Sequence, residues 1–252
     1  MKDQYPFNQR ALSRSRTLDL LNEITDDTGI EFRSLYLPPH LPSSEIRESL
    51  KEVTTEQENT DKLAELASRS MTGSVIFYSP EHTYLILPPF PITVKYFVRS
   101  LNTEPLLSLL KQDYMIGLIL VRLGAYAIGL CHGDNLIRSK VGTGLVHGRH
   151  KKGGSSAHRF ERHRDKQIEY FLTRVCQRTR EQLESHVKSL DYLVYGGART
   201  TIQLLKKQCA FVGKLDIETL PPLFDIPEPR QSVLQTAVNR IWSSTVMEWQ
   251  GN

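Results

Sequence analysis

The sequence predicts an α/β fold in two domains: a small N-terminal α/β domain, then a mixed sheet flanked by helices. Three observations predict it. Strand-like apolar runs alternate with helix-like periodicity along the 252 residues. The cluster Pro88-Pro89-Phe90-Pro91 punctuates the chain where a stiff connector would lie. A long amphipathic pattern follows a conformationally permissive glycine loop in the second part. The expected domains are therefore 1–90 and 91–252, the second carrying the loop 147–157. A chain of this length can bury two modest cores.

In order, Leu18, Leu20, Leu21 and Ile24 give a short helix closed near Gly29. Phe32–Leu37 alternates as a strand and stops at Pro38-Pro39. Ser43–Ala67 reads as one polar helix with the thin apolar stripe Ile46, Leu50, Val53, Leu63 and Leu66. Ser74–Tyr78 and Thr83–Leu87 form a hairpin around Ser-Pro-Glu-His. The second part opens with a strand at Val94–Val98 and a helix at Pro105–Lys111. Met115–Leu123 and Ala125–Cys131, turning at Gly124, are apolar enough for strands buried on both faces. Leu136–Val146 leads into the glycine loop, and a helix runs from about Ser156 to Val187 on the line Ile168, Phe171, Leu172, Val175, Leu183, Val187. A strand at Leu190–Tyr195, a helix at Thr200–Lys207 and a last helix near Arg230–Trp249 complete the order. Trp242 and Trp249 are read as core or interface.

Composition narrows the class. Hydrophobic content of 39% and charged content of 24% are those of an ordinary folded protein. No apolar run approaches the roughly 20 residues of a membrane span. Met1–Arg16 is polar without an apolar signal core, so a cytoplasmic location is expected. Cys131, Cys176 and Cys209 are far apart and odd in number, which fits reduced thiols, and no Cys-x-x-Cys points to zinc. The net charge of +4 is unevenly spread. Arg138–Lys166 holds nine Lys or Arg against two acids, and the remainder of the chain is slightly acidic. One basic patch on an acidic body is the footprint of phosphate-backbone binding.

The patch centres on Gly148-Arg-His-Lys-Lys-Gly-Gly-Ser-Ser-Ala-His-Arg-Phe160. Its glycine spacing fits a nucleotide P-loop, but Gly154 stands where lysine must be. Gly142, Gly144 and Gly148 miss the dinucleotide spacing by one residue. Ser155 and Ser156 lack a nucleophile elbow and an orienting acid. His158 and His163 are five apart on a helix, hence on different faces, and His147 and His150 lie in the loop, so no metal and no cofactor is expected. Arg159, Arg162, Arg164 and Lys166 crowd the first turns of the long helix, where cations oppose its dipole by roughly 0.3–1 kcal/mol each. Stability alone would place acids there. A docked polyanion reverses the sign of that term, and RNA is the expected partner.

The stretch resembles the eukaryotic and archaeal class-1 peptide chain release factors. Gly148–Phe160 followed by Arg162 and Arg164 carries the resemblance, which extends more weakly over 93–250. That family holds a Gly-Gly-Gln tip followed by Ser-Ala-x-Arg-Phe, and the tip reaches the peptidyl-transferase centre to promote peptidyl-tRNA hydrolysis. The resemblance implies a middle-domain-like fold, a ribosomal large-subunit partner, and contacts to tRNA and rRNA. There are three departures. Ser155 stands at the glutamine position, 43–69 holds nothing like Asn-Ile-Lys-Ser, and the chain stops after the middle-domain region. In design it is therefore most similar to the release-factor-like peptidyl-tRNA hydrolases of ribosome quality control, monomeric off the ribosome. Residues 1–90 are assigned a docking role.

The implied reaction is attack of water on the ester joining peptide to tRNA. Backbone N–H groups can stabilise its tetrahedral oxyanion, and a glycine pair lets backbone approach closely. Gly153, Gly154 and the Ser155 backbone are the expected positioning groups, with the Ser155 or Ser156 hydroxyl, or His158, orienting water. Arg149, His150, Lys151, Lys152, Arg159, Arg162 and Arg164 are the expected RNA contacts. The alternative is a non-catalytic, Pelota-like rescue factor or another RNA-binding module.

Overall fold

In a computed structural model the described residues are 8–27, 29–54, 57–148 and 155–250. In chain order they form β1 (Asn8–Leu12), α1 (Arg14–Asp26), β2 (Arg33–Leu37), α2 (Ser43–Val53), α3 (Gln57–Ser68), β3 (Ser74–Tyr78), β4 (His82–Leu87), β5 (Tyr96–Val98) and α4 (Glu104–Lys111). There follow β6 (Met115–Arg122), β7 (Ala125–His132), β8 (Asn135–Thr143), α5 (Ser155–Leu183), β9 (Tyr192–Gly196), α6 (Arg199–Gln208), α7 (Ala210–Gly213), β10 (Glu218–Thr219), α8 (Gln231–Ile241) and β11 (Ser244–Gln250). A 3-10 turn, Glu184–Ser189, closes the end of α5. The α/β class is as the sequence predicts.

One compact unit comprises the chain up to Gln112 together with the residues from Arg240 onward. Its antiparallel sheet has the order β1-β11-β4-β3-β2-β5. Alternation along each strand divides its side chains between two cores. Val75, Phe77, Ile86 and Val246 pack with Leu20, Leu21 and Ile24 of α1 and Leu106 and Leu110 of α4. Leu35, Ile76, Leu85 and Met247 pack with Leu50 of α2 and Leu63 of α3. Trp242 is fully buried, edge-on to Phe90 at 4.6 Å, with the Arg14 guanidinium 4.2 Å from its ring centre.

Three expectations change here. The domain boundary does not fall at residue 90. The proline cluster delivers β5 to the edge of the first sheet, pairing Phe97 with Leu35, and α4 covers the same core. The single helix over 43–67 is two, because Thr54 leaves helical geometry and donates its hydroxyl to Tyr78 Oη in the core. The final helix ends at Ile241, and Ser244–Gln250, with Thr245, Val246 and Trp249 in it, becomes β11, inserted between β1 and β4. Glu248 on β11 then meets Arg10 of β1 at 3.0 Å and His82 of β4 at 2.9 Å.

The second unit, Asp113–Asn239, is built on the sheet β10-β9-β6-β7-β8. β9 runs parallel to β6 and β10, while β6, β7 and β8 are antiparallel, so the sheet is mixed. β6 and β7 are buried almost throughout, as two-sided burial predicts. Phe171, Leu172 and Val175 of α5 and Ile202 and Leu205 of α6 cover one face through Ile119, Tyr126, Ile128 and Leu130.

The thiols also differ from expectation. Packing of α5 against α6 brings the Cα atoms of Cys176 and Cys209 to 5.4 Å, and the two form a disulfide. Gln208 Nε2 reinforces the contact by donating to Glu169 O at 2.7 Å and Thr173 Oγ1 at 2.8 Å. The cysteines are 33 residues apart, a separation from which no local pattern reveals the pairing. Cys131 stays a thiol, buried and pushed up to about 12, and is therefore unreactive at neutral pH. Reduction with dithiothreitol is expected to cost about 2–4 kcal/mol, read as a lower melting temperature. An identical melt for oxidised and reduced protein would remove this cross-link from the stability of the unit.

Candidate functional site

The β7–β8 hairpin carries the chain toward the glycine loop, and two small residues let it lie flat against the core. A methyl group on Gly142 would sit 2.3 Å from Tyr126 Oη, and one on Gly144 2.7 Å from Phe171 Cδ2. Gly144 N donates to Gly124 O at 2.9 Å, and Arg174 Nη1 of α5 donates to Thr143 O at 3.0 Å. Four residues on, His147 is held on both backbone groups. Its N–H donates to Gln167 Oε1 at 3.1 Å, and its carbonyl accepts from Arg164 Nε at 3.0 Å. Its ring lies over that of His163, with 6.4 Å between centroids and 30° between planes.

α5 receives the chain at Ser155 and is 29 residues long, about 43 Å at the usual rise. Among the described residues its buried side chains begin at Phe171 and continue through Leu172, Val175, Thr179 and Leu183. From His158 to His163 every residue is exposed. This end of the helix therefore stands clear of the core of its unit. Its first turn holds no acid. His158 lies 4.0 Å from Glu161, Arg162 Nε reaches back to His158 O at 3.4 Å, and Phe160 is 54% exposed. A cationic, acid-free helix start with exposed side chains suits a polyanion.

Of the sequence-derived residues, His158, Arg159, Arg162 and Arg164 share this helix end, and Ser155 and Ser156 are its first two residues. Arg149, His150, Lys151, Lys152, Gly153 and Gly154 lie outside the described residues. Arg164 differs from Arg159 in spending its Nε–H on the protein's own backbone. Sequence reasoning missed Gln167, His163 and Arg174 as tethers. A signal was available: Arg164, Gln167, Phe171 and Val175 continue one helix line, with polar residues where the apolar stripe runs out. Among the described residues there is no cluster of three or more His, Cys, Asp or Glu able to hold a metal. Among them also, no helix is long and apolar enough to cross a membrane.

A mixed sheet leading into a long helix whose first turn holds no acid marks an α/β protein of a particular family. Comparison with known proteins specifies which. Residues 114–247 match the family model of the Actinobacteria/chloroflexi VLRF1 release factor, more than half of the chain, and the chain belongs to that release-factor family. It is 28% identical to peptide chain release factor subunit 1 of Aeropyrum pernix, over 56% of this chain and 45% of that protein. It is 32% identical to peptide chain release factor subunit 1 of Methanocaldococcus jannaschii, over 61% of this chain and 44% of that protein. The chain thus spans less than half the length of these relatives. Among solved structures, the archaeal translation termination factor aRF1 aligns with a TM-score of 0.37 at 17% identity, over 92% of this chain and 73% of that one. The Pelota protein of Thermoplasma acidophilum aligns with a TM-score of 0.25 at 7% identity, over 91% of this chain and 62% of that one. The fold itself is defined by the sheet orders β1-β11-β4-β3-β2-β5 and β10-β9-β6-β7-β8.

Proposed function

We propose that the protein hydrolyses peptidyl-tRNA without reading a codon, releasing nascent chains from stalled or split ribosomes in the cytoplasm. The observation that carries this reading is the arrangement around His147 in a chain of the release-factor family. His147 is held on both backbone groups, α5 begins at Ser155 with no acid in its first turn, and Gly153-Gly154 lies between the two in sequence. In this reading Arg149, His150, Lys151, Lys152, Arg159, Arg162 and Arg164 hold phosphates of tRNA and rRNA at the peptidyl-transferase centre. Gly153, Gly154 and the Ser155 N–H bring backbone to the ester, and Ser155, Ser156 or His158 orients the attacking water. The protein acts as a monomer, residues 1–90 dock it on the ribosome, and no metal or cofactor takes part.

A second reading has one observation in its favour. Ser155 stands at the glutamine of the Gly-Gly-Gln tip, so a rescue factor that binds and does not cut fits that position. Release of labelled peptide from isolated large subunits, with and without a programmed small subunit, separates the two. Hydrolysis independent of a stop codon supports the enzyme; binding without release supports the binder. In either case the six lysines and arginines named above predict a steep salt dependence of ribosome affinity. The loss between 50 and 200 mM salt is on the order of 10³-fold if all six neutralise phosphates. A flat salt profile would count against the phosphate contacts.

A further inference from the structure

We infer that the outer face of α5 docks on large-subunit rRNA, with Tyr170 as the stacking partner of one unpaired base; this rests on the RNA contacts of the proposed reading. At about 100° per residue, Arg159, His163, Lys166, Arg174 and Gln177 all fall within about 40° of Tyr170 around the helix. The buried Leu172, Val175 and Thr179 lie on the opposite side. Every residue of the outer face is exposed, and Tyr170, at 77%, is the most exposed large hydrophobic side chain among the described residues. The acids of the same span, Glu161, Asp165 and Glu169, sit about 100° or more away from it. From Arg159 to Gln177 this acid-free face runs about 27 Å.

A single exposed tyrosine is ordinary on a protein surface; its setting is not. Helix stability favours cations matched by acids three or four residues away. Further along α5 this is what occurs, with Arg178 paired to Glu181 at 2.7 Å and Arg180 to Glu184 at 3.5 Å. Arg159, Lys166 and Arg174 form no ion pair with any described residue. Arg174 donates one N–H to Thr143 O, which leaves its charge and its remaining donors for a ligand. Lys166 and Arg174 stand four residues before and after Tyr170, about 6 Å of helix rise each way. A ring flanked by cations fits a nucleic-acid strand whose base stacks on the aromatic face while neighbouring phosphates meet the charges. An acidic protein surface would use the cations and give the ring no flat partner. Stacking needs an open base face, so the strand is unpaired at that point. In the proposed reading the unpaired tRNA 3′ end is engaged in the release reaction, and the acceptor stem beyond it is paired, which leaves rRNA as the source.

The test measures binding of the full chain to isolated large subunits free of tRNA, across a range of salt concentrations. Tyr170→Ala weakens binding on the order of tenfold, the usual cost of one lost base stack, with the salt slope unchanged because no phosphate contact is removed. Tyr170→Phe, which keeps the ring, stays within about twofold of wild type. Lys166→Ala weakens binding and lowers the salt slope by about 1. A photoreactive benzoylphenylalanine placed at Tyr170 crosslinks to rRNA. Wild-type affinity in Tyr170→Ala overturns the inference, as does an equal loss in Tyr170→Phe, which would make the hydroxyl the contact. Crosslinking to a ribosomal protein overturns it as well and assigns the face to a protein partner. Peptide release from peptidyl-tRNA is measured in parallel. Binding that depends on Tyr170 without release removes the hydrolysis and keeps the docking face; full release with Tyr170→Ala binding as wild type removes the docking face and keeps the hydrolysis.

Discussion

Alanine at Gly154 is expected to slow peptide release on the order of 10²–10³-fold, the usual cost of losing one oriented donor to a tetrahedral oxyanion. A glycine pair lets main-chain N–H groups approach an ester that any side chain would hold away, and a Cβ at Gly154 occupies that approach. The phosphate contacts and the helix start are untouched by the change, so ribosome affinity should stay near wild type and the loss should appear in kcat. Single-turnover release and subunit binding, measured on the same preparation, check both halves. Release by Gly154→Ala at the wild-type rate would take the glycine pair out of the chemistry.

The largest stability effect is expected at Gly197. It follows β9 with φ of +119°, outside the range side-chain-bearing residues readily adopt. A methyl group there would lie 1.9 Å from Val121 O of β6, and the Gly197 N–H is committed to Leu223 O at 2.9 Å. Relief requires parting β6 from the end of β9, in the centre of the second sheet. Gly197→Ala should therefore cost about 3–5 kcal/mol, combining backbone strain with a main-chain collision. In a thermal melt that corresponds to a drop of roughly 6–20 °C. A shift below about 2 °C would show that the turn is more forgiving than its geometry implies.

What the sequence disclosed follows the range of the interactions involved. The β6–β7 hairpin, with its glycine turn at Gly124, was readable because each strand is apolar on both faces. The core line of α5 was readable because Phe171, Leu172, Val175 and Leu183 repeat at helical spacing. β11 was not, since its identity depends on partners such as Arg10 and Leu85 far away in sequence. The break after α2 depends on one hydroxyl finding Tyr78 across the core. The Cys176–Cys209 bond depends on how α5 meets α6. At the site the charges were legible, because a cationic helix start is a local pattern. The tethering of His147 was not, because Gln167 looks like any solvated glutamine until the loop is seen to fold back on the helix.

The central claim is that this chain cuts peptidyl-tRNA, and release of a labelled nascent chain from isolated large subunits tests it most directly. The expected result is first-order release that saturates with protein, exceeds spontaneous ester hydrolysis and needs no stop codon. Release at the spontaneous rate from subunits to which the protein is demonstrably bound would contradict it and leave a binder.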